Sequence, residues 1–109
     1  MSVRTIFLAS CLSLLSSLAF AAMPELSISI KDHRFEPAEL QVPAGQKVKL
    51  IVHNLDATPE EFESYELNRE KVIPGNSKAL VFIGPLAPGE YPFFGEFNQD
   101  SAQGRLVAK

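Results

Sequence analysis

Strict alternation of apolar and polar residues runs through Leu26-Ser27-Ile28-Ser29-Ile30, the period of a strand with one face in a core and the other in solvent. Lys47-Val48-Lys49-Leu50-Ile51-Val52-His53 repeats it, with Val48, Leu50 and Val52 on one face and Lys47, Lys49 and His53 on the other. Shorter pieces follow the same rule. Glu39–Val42 is a strand closed by the turn Pro43-Ala44-Gly45, Ser77–Ile83 is strand-like around Leu80-Val81-Phe82-Ile83, and Pro88-Gly89 turns the chain into Glu90-Tyr91-Pro92-Phe93-Phe94. Gly104–Lys109 reads as a last strand. Short strands separated by Pro/Gly turns predict one all-β domain, a sandwich or barrel.

Two segments need a closer argument. Thr58-Pro59-Glu60-Glu61 looks like a helix start, with Pro in the first turn and acids after it. Phe62 needs a core partner that so short a helix would not supply, so the expectation is extended chain from Thr58 to Ser64. Glu61 and Glu63 then share one face, and Glu60 and Phe62 the other. With Phe62 in the core, Glu60 sits at the edge of the core face, where a carboxylate requires a partner or a metal. In Tyr91–Gly104 the same alternation sets Glu96 and Asn98 on a face opposite Phe97. Phe93 and Phe94 read as core, and Asp100–Gln103 as one helical turn.

The N-terminus is not part of this pattern. Met1–Arg4 carries one positive charge, Thr5–Phe20 is uncharged and mostly apolar, and Ala19-Phe20-Ala21 is a small-x-small site. These predict a secretory signal peptide over residues 1–21, cleaved after Ala21 or Ala22, and a domain over 22–109. Leu8-Ala9-Ser10-Cys11 resembles a lipoprotein cleavage box, but the apolar run continues past it to Phe20, which favours the ordinary signal. No transmembrane segment is expected in the mature protein.

Charge and cysteine narrow the function classes. The chain has 10 Lys and Arg against 13 Asp and Glu, a net charge of −3, and loss of Arg4 with the leader makes the domain more acidic. That argues against nucleic-acid binding, which uses a basic face. The single Cys, Cys11, leaves with the leader, so the exported domain has no disulfide and no thiolate for soft metals or nucleophilic chemistry. No G-x-S-x-G, H-E-x-x-H, P-loop or dinucleotide motif is present. The compositional anomaly is acidic: Asp56, Glu60, Glu61, Glu63, Glu66 and Glu70, offset by Arg69 alone. His53 reads as a solvated surface residue. His33 lies at a strand end, where loops gather.

Lys31-Asp32-His33-Arg34-Phe35-Glu36-Pro37, Val42-Pro43-Ala44-Gly45, the run Val52–Ser64, Leu67–Val72, Pro88-Gly89-Glu90-Tyr91 and Phe94-Gly95-Glu96-Phe97 carry a resemblance. The domain resembles, over nearly its whole length, the small bacterial cupredoxin-like proteins of the EfeO type. The resemblance implies a Greek-key β-sandwich with its loops gathered at one end, a periplasmic setting, and a part in ferrous-iron uptake beside an iron permease or other periplasmic uptake components. It also implies where blue-copper ligands would stand. The first His position falls at or near Glu60, the Cys on Gly95, the second His on Asn98 and the Met near Gln103, so type 1 copper is not expected. Carboxylates are hard ligands that suit iron better than Cu(I), and anionic oxygens favour Fe(III) over Fe(II). The expected metal site is therefore Glu60, Glu61, Glu63 and Glu96 with His33, and Asn98 as a weak neutral ligand, taking iron or copper and open to ferroxidase-type activity. Two other functions fit the residues. One is a metal-free interaction module that docks a permease or periplasmic partner through its acidic face. The other is copper handling, for which the ligand set is poor.

Overall fold

A computed structural model describes residues 22–109; the signal peptide expected over 1–21 lies outside them. The chain runs through β1 (Glu25–Lys31), β2 (Arg34–Glu36), β3 (Glu39–Val42), β4 (Val48–Asn54), β5 (Glu60–Ser64), β6 (Arg69–Ile73), β7 (Ser77–Ile83) and β8 (Gly89–Gly95), then a 3-10 turn (Glu96–Asn98), and ends in β9 (Gln103–Ala108). They form two sheets, in the orders β2-β1-β4-β7 and β3-β9-β8-β5-β6. β1 lies parallel to β4, and β3 to β9; the other pairs are antiparallel.

The all-β sandwich and the extended reading of the Thr58–Ser64 run both hold. Two strands carry no sequence signal. β2 has one inward residue, Phe35. It exists because a two-residue turn, with Asp32 at φ 51° and His33 at φ 57°, reverses the chain against β1 as left-handed hairpin turns do. The Asp56 carboxylate secures that turn by accepting the backbone N–H groups of Asp32 (2.8 Å) and His33 (3.0 Å). β6 is an edge strand with only Ile73 buried, so its place is set by pairing with β5 rather than by an apolar face.

Alternation fills the space between the sheets. Ile28, Ile30, Val48, Leu50, Val52, Val81 and Ile83 meet Val42, Phe62, Ile73, Phe93, Leu106 and Ala108. Three rings form the centre. Phe35 stands edge-on to Phe93 (4.9 Å between centroids) and to Phe62 (6.2 Å), while Phe62 and Phe93 stack at 5.0 Å. Of the two phenylalanines expected in the core, only Phe93 is there. Phe94 points outward, as its place between the inward Phe93 and Gly95 on β8 requires, and packs on Tyr65 at 5.5 Å.

One buried side chain aims the site. Asn54, at the end of β4, donates to the carbonyls of Thr58 (2.8 Å) and Ile73 (3.1 Å) and accepts the N–H of Asp56 (3.1 Å). It thereby ties the loop entering β5 to the end of β6. Gly75 lets the next turn pass that loop: a Cβ there would lie 2.0 Å from the Ala57 carbonyl oxygen. With the entry fixed, β5 joins its sheet with Glu60 and Phe62 inward and Glu61 and Glu63 outward.

Candidate metal centre

Glu60 is 1% exposed, and both of its carboxylate oxygens are used within the protein. Oε1 accepts the backbone N–H groups of Glu61 (3.0 Å) and Phe97 (2.8 Å), and Oε2 accepts the Asn98 side-chain amide at 2.6 Å. A buried carboxylate needs such donors. This departs from the expectation of Glu60 as a ligand in an open site: its partner is the 3-10 turn, and it faces away from Glu61 and Glu63. The turn also breaks the alternation expected at 96–98. Asn98 goes inward to Glu60, while Glu96 comes beside Glu63 on the outer surface.

That outer surface holds the charge. Glu61, Glu63 and Glu70 each offer a carboxylate oxygen, all within 4.8 Å of one another. The β5–β6 register sets Glu63 directly opposite Glu70 and Glu61 opposite Val72. A hydrogen shared with Glu70, partial burial and the negative charges of Glu70, Glu63 and Glu96 push the Glu61 carboxyl up from the usual 4.5 to about 7. Glu63 is also raised, by burial first, then by a hydrogen bond with Glu96 and by the charges of Glu96 and Glu70. Like charges placed opposite one another in a sheet are destabilising. A proton or a cation among the carboxylates relieves that repulsion.

A pH dependence follows. Glu61 holds its proton more tightly when folded than when unfolded, so its contribution to stability is complete below about pH 4.5 and is lost as the pH rises through about 7. Glu63 acts in the same direction. Asp56 is lowered from the usual 3.8, chiefly by the His33 backbone N–H, so its stabilising contribution is lost only below that value. The metal-free domain is expected to melt at a higher temperature at pH 5 than at pH 8, and Glu61→Gln to flatten that difference. Thermal melts followed by circular dichroism across this range check both; a parent melting higher at pH 8 would refute the assignment.

Of the expected ligands, Glu61, Glu63 and Glu96 come together, and Glu60 and His33 do not join them. His33 Nδ1 lies 3.6 Å from Asp56, and its carbonyl accepts the Ser101 hydroxyl at 2.6 Å, so it braces the β1–β2 turn against the loop before β9. Glu70 is the member that sequence reasoning left out of the ligand set. Its signal was the hairpin register: a turn at Tyr65–Asn68, with Asn68 at φ 53°, makes Glu63 and Glu70 cross-strand partners.

The sequence pattern of the cupredoxin-like domain matches residues 4–108. The chain belongs to the cupredoxin-like domain family. It is 47% identical over 83 residues to the uncharacterized protein RP394 of Rickettsia prowazekii, covering 76% of this chain and 66% of that one. It is 36% identical over 76 residues to the iron uptake system component EfeO of Yersinia pseudotuberculosis, covering 65% of this chain and 20% of that one. The cupredoxin-like chain thus spans just under two thirds of the first relative and about a fifth of the second. Among solved structures, it superposes with a TM-score of 0.70 and 15% identity on the metal binding domain of the Streptococcus pneumoniae Cu(I) exporting P-type ATPase CopA, covering 78% of this chain and 84% of that one. Auracyanin A, a blue copper protein of Chloroflexus aurantiacus, gives 0.68 and 19%, covering 78% and 98%. At such identities the likeness is one of fold.

The fold family implies a type 1 copper ion held by imidazoles, a thiolate and a thioether, and the residues here do not fit one. Glu60 and Asn98, which the resemblance sets at or near the imidazole positions, bond each other. On Gly95, which it sets at the thiolate position, a Cβ would lie 2.7 Å from both the Glu60 carboxyl carbon and the Ala102 Cβ. Gln103 is exposed, with its amide turned to the Gln99 carbonyl at 3.0 Å. The inward residue beside Gly95 is the apolar Ala102, 0% exposed.

Proposed function

We propose that this cupredoxin-like protein is an exported, periplasmic accessory of iron uptake that binds iron on the outer face of β5 and β6 through Glu61, Glu63, Glu70 and Glu96. The observation that carries the reading is the gathering of three carboxylates within 4.8 Å, with Glu96 against Glu63. Hard, anionic oxygens suit iron over Cu(I), and they hold Fe(III) more strongly than Fe(II), which lowers the potential of bound iron and favours its oxidised state. The export signal expected over residues 1–21 and the EfeO relatives, named as iron uptake system components, support the setting. An iron permease or another component of the same system is the partner that would receive the metal.

Titration calorimetry of the mature domain with Fe(II), Fe(III), Mn(II) and Cu(II) tests the reading. Binding of Fe(III) above Fe(II) and Mn(II), strengthening as the pH rises through about 7 while Glu61 loses its proton, is the expected result. Silence toward every one of these ions would refute it. A second reading, a docking module that carries no metal, is favoured by one observation: the mutual hydrogen bond of Glu60 and Asn98 at the family's ligand positions. In that case the four outer carboxylates meet a basic patch on the permease, with an affinity that weakens as salt rises.

A further inference from the structure

We infer that Glu60 and Asn98 form an internal clasp that takes over the structural work of the missing metal, joining β5 to the β8–β9 connection with protein atoms alone. In a metal-bound sandwich of this kind, an ion between the loops ties them together. Here a single carboxylate does so. Its two oxygens receive one N–H from its own strand, at Glu61, and two donors from the opposite turn, at Phe97 and Asn98. Hydrogen bonds to a charged acceptor are about twice as strong as neutral ones, and with Glu60 1% exposed water does not compete for them.

The residues around the clasp are mutually dependent. Glu60 fits because residue 95 is Gly: the space a Cys side chain would enter is taken by the Glu60 carboxyl carbon at 2.7 Å and Oε1 at 2.9 Å. The turn is closed from its other side by the Ala102 N–H donating to the Asn98 carbonyl (2.8 Å) and the Gly95 N–H donating to the Ala102 carbonyl (2.8 Å). Both oxygens of the Glu60 carboxylate are thus engaged by protein donors. The clasp also fixes where Glu96 stands, one residue before the anchored Phe97 N–H. That last consequence bears on iron through the proposed function, but the clasp itself rests on the hydrogen bonds and packing alone.

Amide hydrogen exchange of Phe97 is the direct test. Phe97 is 51% exposed and lies in a short turn, so without the clasp this N–H would exchange as a surface turn does. In the parent protein with a chelator present it is expected to be strongly protected. Glu60→Ala is expected to speed it by about tenfold or more, the loss of one hydrogen bond to a charged group. Glu60→Gln keeps Oε1 as acceptor, and its amide can donate to a turned Asn98, so protection is expected to stay within about threefold of the parent. Adding Cu(I), a diamagnetic ion that the outer carboxylates suit poorly, to the parent is expected to leave the Phe97 exchange rate and the Asn98 side-chain amide resonances unchanged. An unprotected Phe97 N–H in the parent, or Asn98 resonances shifted by copper, would overturn the inference. The parent arms decide it even where Glu60→Ala fails to fold. Failure of iron to bind the outer face would leave the exchange result standing, so the two proposals fail separately.

Discussion

Replacing Glu61, Glu63 and Glu70 together by Gln is expected to weaken iron binding at least about 100-fold while making the metal-free domain more stable at pH 8. The two effects have one cause. Loss of an outer-shell partner of a metal ligand already costs about 10- to 100-fold in affinity, and this variant removes the anionic ligands themselves. Gln preserves the volume and the strand, so the sheet is kept. What disappears is the Glu61 carboxyl, pushed up to about 7 by the hydrogen shared with Glu70, by burial and by the neighbouring charges, the Glu63 carboxyl, raised by burial first, and with them the directly opposed charges of Glu63 and Glu70. Calorimetric titration and thermal melts of the same sample check both effects. Equal stability at pH 8 with unchanged iron affinity would mean that the cluster is an ordinary solvated acidic surface.

Phe62→Ala is expected to lower stability by about 3–5 kcal/mol, the range for a buried phenylalanine truncated in a core. For a domain of this size that is on the order of 20 °C in unfolding temperature. Phe62 is 0% exposed and contacts both other rings of the central cluster, Phe35 and Phe93, so its loss opens a cavity between the sheets that no neighbour can fill without leaving its own place. Phe97, 51% exposed, serves as the control: Phe97→Ala removes a similar ring and is expected to move the transition by only a few degrees. Denaturant or thermal unfolding followed by circular dichroism separates the two. Comparable losses would contradict the placement of Phe62 at the centre of the core.

Much of the fold was legible because alternation is a direct record of burial in a two-layer sandwich. Val48, Leu50 and Val52 face inward in β4 as their spacing requires, and Phe62 sets the orientation of β5 and so the two faces of the Glu60–Ser64 run. That Glu60 needed a partner was also legible, since a carboxylate on a core face is too costly to leave alone. The partner's identity was not. Asn98 reaches Glu60 because a 3-10 turn replaces the extended chain at Glu96–Asn98, and a short turn has no apolar period to betray it. β2 and β6 were hidden for a related reason. One depends on the left-handed turn at Asp32 and His33, held from a distance by Asp56; the other is an edge strand whose exposed Arg69, Glu70 and Lys71 carry no strand pattern. Without β6 there is no register, and without the register Glu70 is one acid among several rather than the partner of Glu63.

In the proposed function a cation is held on the outside of the sandwich, by the carboxylates of β5, β6 and the 3-10 turn, and not between the loops where the family's copper would lie. Paramagnetic broadening by Mn(II), a hard ion that prefers oxygen ligands, tests it most directly on the isotope-labelled domain at about pH 7.5. The side-chain carboxyl signals of Glu61, Glu63, Glu70 and Glu96 are expected to broaden first and together, while those of His33 persist to higher metal concentration. Earliest broadening at His33 and Asp56, or uniform slight broadening over all surface acids, would contradict it.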